Sequence, residues 1–153
     1  MDSDDAVDLL EDLDPEEKEQ IVRMLDEDAK KDVKMLLSYD EEEIGSCMTT
    51  NYICIPENLT IRQAMSELVK QAGENDNIMT IYVVDEKGVF AGAIDLKDLI
   101  RARENAHLED LVLKSYPYVT DHEKIDDCMD RILDYAEDSI PVLSEDKKIL
   151  GVI

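Results

Sequence analysis

Thr80-Ile-Tyr-Val-Val-Asp-Glu-Lys-Gly-Val-Phe-Ala-Gly-Ala-Ile-Asp-Leu-Lys-Asp98 decides the fold, because the chain repeats it. The second copy is Ser139-Ile-Pro-Val-Leu-Ser-Glu-Asp-Lys-Lys-Ile-Leu-Gly-Val-Ile153. Each copy is a β-branched run, a polar turn and a second apolar run around a glycine, the pattern of two strands joined by a tight hairpin. In the first copy the hairpin runs into a short helical pattern marked by Leu96, Leu99 and Ile100.

The repeat extends upstream. Asn51-Tyr-Ile-Cys-Ile-Pro-Glu-Asn-Leu-Thr-Ile-Arg-Gln-Ala-Met65 aligns without gaps on Ser115-Tyr-Pro-Tyr-Val-Thr-Asp-His-Glu-Lys-Ile-Asp-Asp-Cys-Met129. Each unit is therefore a short strand, a helix and two further strands. The first is about five residues longer before its hairpin, around Gly73-Glu-Asn-Asp-Asn77. Stacked supersecondary units bury one another's faces, and two of them make a paired module rather than a solenoid.

These phrases resemble a tandem pair of CBS domains over roughly Ile44 to Ile153. The motifs that carry the resemblance are Cys47-Met-Thr49, Thr60-Ile-Arg-Gln-Ala64 and Ile81-Tyr-Val-Val-Asp85 with Gly88 and Gly92. The fold class expected is α+β: a short acidic helical segment, then β-α-β-β-α repeats, the second truncated.

Composition narrows the function. A chain of 153 residues with 44% apolar residues is globular. Its apolar runs are strand-length, and no secretory signal follows Met1. Cys47, Cys54 and Cys128 lack C-x-x-C spacing and read as buried thiols in a reducing compartment. His107 and His122 stand apart, against a zinc site. Thirty-nine acids against sixteen bases leave a net charge of −23. Residues 1–43 hold 18 acids and 5 bases, a net of −13, and the rest hold 21 and 11, a net of −10. Such a surface repels nucleic acid and anionic lipid and attracts cations or a basic partner.

Ahead of the repeats, Ala6, Leu9, Leu10 and Leu13 form a helical stripe. Asp14-Pro15-Glu16-Glu17 starts a second helix, with an aspartate cap, proline at the first position and a glutamate to close a capping box. Its expected buried face is Ile21, Val22 and Leu25. Asp26 or Asp28 starts a third helix with Val33, Leu36 and Leu37 inward. In the repeats, Ile61, Ala64, Met65, Leu68 and Val69 form one inward helix face. Ile125, Met129, Ile132 and Leu133 form the other, and Ala106 to Leu113 a linking helix. Met48, Met65, Met79 and Met129 are expected in the core. The domains expected are residues 1–40, 41–104 and 105–153, with the closing helix of the second repeat lying beyond Ile153.

This N-terminal segment, followed by Ser38-Tyr-Asp and Gly45-Ser-Cys-Met-Thr49, is similar to MgtE-type magnesium transporters. The resemblance implies the end of an acidic helical N domain, then the CBS pair, on the cytoplasmic face of the cell membrane. It also implies attachment to a transmembrane domain of the same full-length protein, a homodimer through the CBS domains, and Mg²⁺ held between N domain and CBS pair in a compact, closed state. Asp4 and Asp8, four apart and on one helical face with Asp5 alongside, match its metal-binding acids. Two carboxylates about 4 Å apart repel by about 1 kcal/mol in water and several times more at a protein surface. Magnesium relieves that repulsion while keeping several waters. The plain alternative is that first-turn acids serve the helix dipole. On the facing side the family's acid aligns with Ala136, so Glu137 or Asp138 takes its place. A backbone carbonyl near Gly45-Ser46 supplies a further oxygen.

CBS pairs also bind adenine nucleotides between their repeats. Asp98 stands where the family contacts ribose, Lys97 where some relatives have arginine, and Thr80 where some have a stacking ring. Asp95 places a negative charge where phosphates come, which weakens this reading. Nothing pairs a nucleophile with a base, so no enzyme is expected. Three readings stand: a magnesium-sensing, gating region; a CBS module sensing an adenosyl nucleotide, with the acidic helices only structural; and a dimerisation domain.

Overall fold

The quoted hairpin forms as strands β2 (Thr80–Val84) and β3 (Phe90–Asp95), followed by helix α5 (Leu96–Arg101). The computed structural model describes residues 2–153. Three helices come first: α1 (Ser3–Glu11), α2 (Pro15–Met24) and α3 (Glu27–Leu37). The first repeat opens with β1 (Ile53–Pro56) and α4 (Ile61–Gln71); the second is β4 (Val119–Thr120), α6 (Ile125–Leu133), β5 (Pro141–Leu143) and β6 (Ile149–Val152). Capping follows the residues. Asp14 and Glu17 make the capping box of α2, Thr60 and Gln63 that of α4, and Asp26 accepts the Ala29 N–H at 2.8 Å.

Each repeat is a three-stranded sheet whose first strand lies parallel to the second and whose third is antiparallel. The registers coincide. Ile55 pairs with Val83 and Val83 with Gly92; Val119 pairs with Val142 and Val142 with Gly151. Both hairpins carry an irregularity one step further on, at Val83/Val84 and Val142/Leu143.

The repeats also exchange edges. Leu113, just ahead of the second repeat, bridges to Ala93 on the first repeat's outer strand; Thr49, just ahead of the first, bridges to Val152 on the second's. The crossing carbonyls explain the glycine in each hairpin. A Cβ on Gly92 would lie 2.5 Å from the Leu113 carbonyl oxygen, and one on Gly151 2.8 Å from that of Thr49.

Three cores result. The first repeat encloses its own, with Ile53, Ile55, Ile81, Val83 and Ile94 fully buried. The second repeat shares a core with the N-terminal helices: Ala6, Val7, Leu10, Val33 and Leu36 pack with Ile44, Met48, Val119, Cys128, Ile140 and Val142. Between the repeats lie Tyr82, Ala93, Tyr116 and Val152.

Several expected core positions are different. Val7 replaces Leu9 on the buried face of α1, because α1 packs on α3 through Ala6, Val7 and Leu10. Helix α2 buries no residue; Ile21 is exposed, and Val22 and Leu25 are only partly covered. Leu37, Val69, Met79, Met129 and Leu133 point outward. On α6 the buried residue is Cys128. Cys47 is exposed, and Cys54 is half-buried with its thiol pushed up to about 11 by burial, so only Cys128 is a core thiol. The linking helix is a single 3-10 turn, Leu108–Leu111.

Candidate functional site

Helix α1 is clipped to the start of the first repeat by its own acids. The Asn51 Nδ2 donates to the Asp2 carboxylate at 2.8 Å, and the Thr49 hydroxyl donates to Asp4 at 3.0 Å. Thr49 in turn accepts the Asn51 N–H. Asp5 and Asp8 are exposed. Beside the clip a crevice of about 360 Å³ opens between helices and repeat, lined by Asp2, Asp26, Asp28 and Asp32 on one side and Asn51 and Glu74 on the other. Burial raises the Asp32 carboxyl above the usual range; the Thr50 hydrogen bond opposes this and the Asp28 charge adds to it. Sequence reasoning missed Asp28 and Asp32, although they have the four-residue spacing that marked Asp4 and Asp8.

Glu137 and Asp138 lie exposed in the segment between α6 and β5. Their charges reach Tyr82, whose hydroxyl is raised by burial first and by both carboxylates last. Among the described residues no three His, Cys, Asp or Glu side chains converge at metal-binding range. The Asp4–Asp5–Asp8 group and the Glu137–Asp138 pair therefore do not meet in one multidentate cluster. What α1 presents is hard, solvated oxygen, suited to an ion that takes one or two carboxylates and keeps its waters.

Ser46 sits in the 3-10 turn Ile44–Cys47, its hydroxyl donating to the Glu43 carbonyl at 2.8 Å. This junction is sewn to the second repeat. The Ile44 and Gly45 N–H groups donate to the carbonyls of Glu123 and Asp121 at 2.8 and 2.9 Å, and the Ile125 N–H donates to that of Glu42 at 2.8 Å. Side chains add a seam. The Tyr39 hydroxyl donates to buried Asp121 at 2.7 Å, and His122 bridges Glu43 and Asp121. The bond to Glu43 and then the Asp121 charge raise the His122 imidazole pKa. His122, isolated in sequence, thus joins the junction to the second repeat.

Thr80 is 8% exposed, on the first strand of its hairpin and next to the inter-repeat tyrosines. There Tyr82 hydrogen-bonds the Ser139 hydroxyl, and the Tyr116 hydroxyl donates to the Ser139 carbonyl at 2.9 Å. Lys97 and Asp98 are exposed in the first turn of α5. Asp95 caps that helix, accepting the Lys97 N–H at 2.8 Å.

The CBS domain family matches residues 42–105 and 108–153, and the MgtE intracellular N domain matches residues 1–42. Over 152 residues the chain is 30% identical to the magnesium transporter MgtE of Thermus thermophilus, covering 97% of this chain and 33% of that one. It is 33% identical over 122 residues to the magnesium transporter MgtE of Enterococcus faecalis, covering 80% and 27%. The chain thus spans about a third of the length of these relatives. Among solved structures, the soluble part of a magnesium transporter superposes with a TM-score of 0.92 at 33% identity, over all of this chain and 60% of that one. The cytosolic domain of the Mg²⁺ channel MgtE in complex with ATP does so with a TM-score of 0.91 at 28% identity, over all of this chain and 63% of that one.

Proposed function

Since the chain belongs to the CBS-domain family and carries an MgtE intracellular N domain ahead of its pair, we propose that it is the cytosolic Mg²⁺-sensing region of a magnesium transporter. No helix among the described residues is long and apolar enough to cross a membrane; in this reading the chain regulates a transmembrane domain of the same full-length protein. The supporting observation is the clip at α1, where Asp2 and Asp4 hold Asn51 and Thr49 beside an acid-lined crevice. With a net charge of −23, closing the helices onto the repeats stores repulsion. A divalent ion at Asp4, Asp5 and Asp8 relieves it. Ser46, Glu137 and Asp138 are the candidate oxygens from the CBS side. Because the ion binds the closed arrangement best, it shifts the population toward it.

Calorimetric titration tests this. Mg²⁺ is expected to bind saturably. Asp4→Asn with Asp8→Asn removes two charges and weakens binding about tenfold or more. Asparagine at position 4 still accepts the Thr49 hydroxyl, so the clip survives. Equal affinity in the double variant would remove these residues from the site.

A homodimer is proposed through the first repeat. Val69 and Ile100 are 67% and 62% exposed and line, with Met65, a groove of about 490 Å³ between α4 and α5. A two-fold partner covers such a face with its own copy. Sedimentation should show a dimer that Val69→Glu with Ile100→Glu converts to monomer.

The alternative, an adenosyl-nucleotide sensor, is favoured by the ATP complex of a similar structure. Against it, Thr80 offers no ring to stack adenine and is covered beside Tyr116.

A further inference from the structure

The second hairpin differs from the first at one backbone position. At the turn, Gly88 has φ +80°, whereas its counterpart Lys147 holds φ +65° with a full side chain. Glycine adopts that conformation freely and lysine does not. A side chain thus stands where the sister turn has none. Its ammonium lies 4.3 Å from the centre of the Tyr118 ring and donates to the Tyr118 hydroxyl at 2.5 Å. Tyr118 and Lys147 line a cavity of about 490 Å³ together with Thr120, Glu123, Arg131 and Tyr135. Arg131 gives one guanidinium nitrogen to Glu123 at 2.7 Å, and its other N–H groups have no protein acceptor among the described residues. In a chain of sixteen bases and thirty-nine acids, this cavity collects two cations, one acid and the hydroxyls of Tyr118, Thr120 and Tyr135.

We propose that this cavity binds a small phosphate monoester, its phosphate held between Arg131 and Lys147. Guanidinium donors match phosphate oxygens in geometry, and lysine supplies the second charge. The tyrosines offer both ring faces and hydroxyl donors to the ester group. The site borders the inter-repeat core at Tyr116, while Thr80, Lys97 and Asp98 do not line it. It is also independent of the magnesium reading, because no acid of α1 takes part.

The test is calorimetric titration with phenyl phosphate and with inorganic phosphate, without divalent ions and at constant ionic strength. Phenyl phosphate is expected to bind saturably and more tightly than inorganic phosphate. Lys147→Gly restores the residue of the sister turn, so the hairpin keeps its conformation while the cation is lost. Affinity should fall about tenfold in Lys147→Gly and again in Arg131→Gln, as expected for a charged hydrogen bond. Absence of saturable binding by the unmodified protein, or unchanged affinity in Lys147→Gly, overturns the proposal.

Discussion

Gly92→Ala is expected to cost about 3–5 kcal/mol, enough to leave little cooperative fold. Two effects add. The backbone holds φ +151°, and the new Cβ would sit 2.5 Å from the Leu113 carbonyl oxygen, a main-chain atom in the exchanged bridge. Gly88→Ala separates them, for there φ is +80° and nothing lies within 4 Å of the Cβ. It should cost only about 1 kcal/mol, the price of the left-handed conformation. Urea unfolding of both variants checks the pair. If Gly92→Ala were as mild as Gly88→Ala, the exchanged edge would not constrain the hairpin.

Leu10→Ala carries the second large effect. Leu10 is 1% exposed and belongs to the core that joins α1, α3, the junction and the second repeat. Truncating a leucine in such a site costs about 3–5 kcal/mol. Its consequence is not only loss of stability. Helix α1 holds the clip to Thr49 and Asn51, so loosening it frees Asp2 and Asp4 from the first repeat. Hydrogen exchange should show α1 opening while the first repeat, with its own core, stays protected. Uniform loss of protection throughout the chain would contradict this division.

Much of the fold is legible in the residues because it is local. The hairpin turns, the Asp14 and Thr60 capping boxes and the helix starts depend on neighbours within four positions. The edge exchange is not local. Thr49 and Leu113 are single residues in stretches without periodicity, and their partners Val152 and Ala93 lie across the molecule. The apolar stripe of α2 misled because a stripe needs a partner to bury it, and α2 is only partly covered, at Val22 and Leu25. Val69 on α4 and Leu133 on α6 err in the same way, since the stripe continues past the face that the sheet covers.

The candidate site divides along the same line. Asp4 and Asp8 are found by helical spacing, whereas the crevice of Asp2, Asp26, Asp28 and Asp32 exists only once α1 and α3 pack beside the first repeat. His122 reads as solitary because Glu43, 79 positions away, reaches it only through the junction. Asp95 reads as a departure from a nucleotide motif, and its position gives it a helix to cap.

The most direct measurement is melting temperature together with radius of gyration in Mg²⁺ against NaCl at equal ionic strength. Monovalent salt screens repulsion without coordinating. Mg²⁺ at 100 times its dissociation constant adds about 2.7 kcal/mol per site, worth roughly 5–10 °C in a domain of this size. The predicted result is a higher melting temperature and a smaller radius in Mg²⁺ than in NaCl, with most of the difference lost in Asp4→Asn with Asp8→Asn. Equal behaviour of the unmodified protein in the two salts would contradict the sensor account.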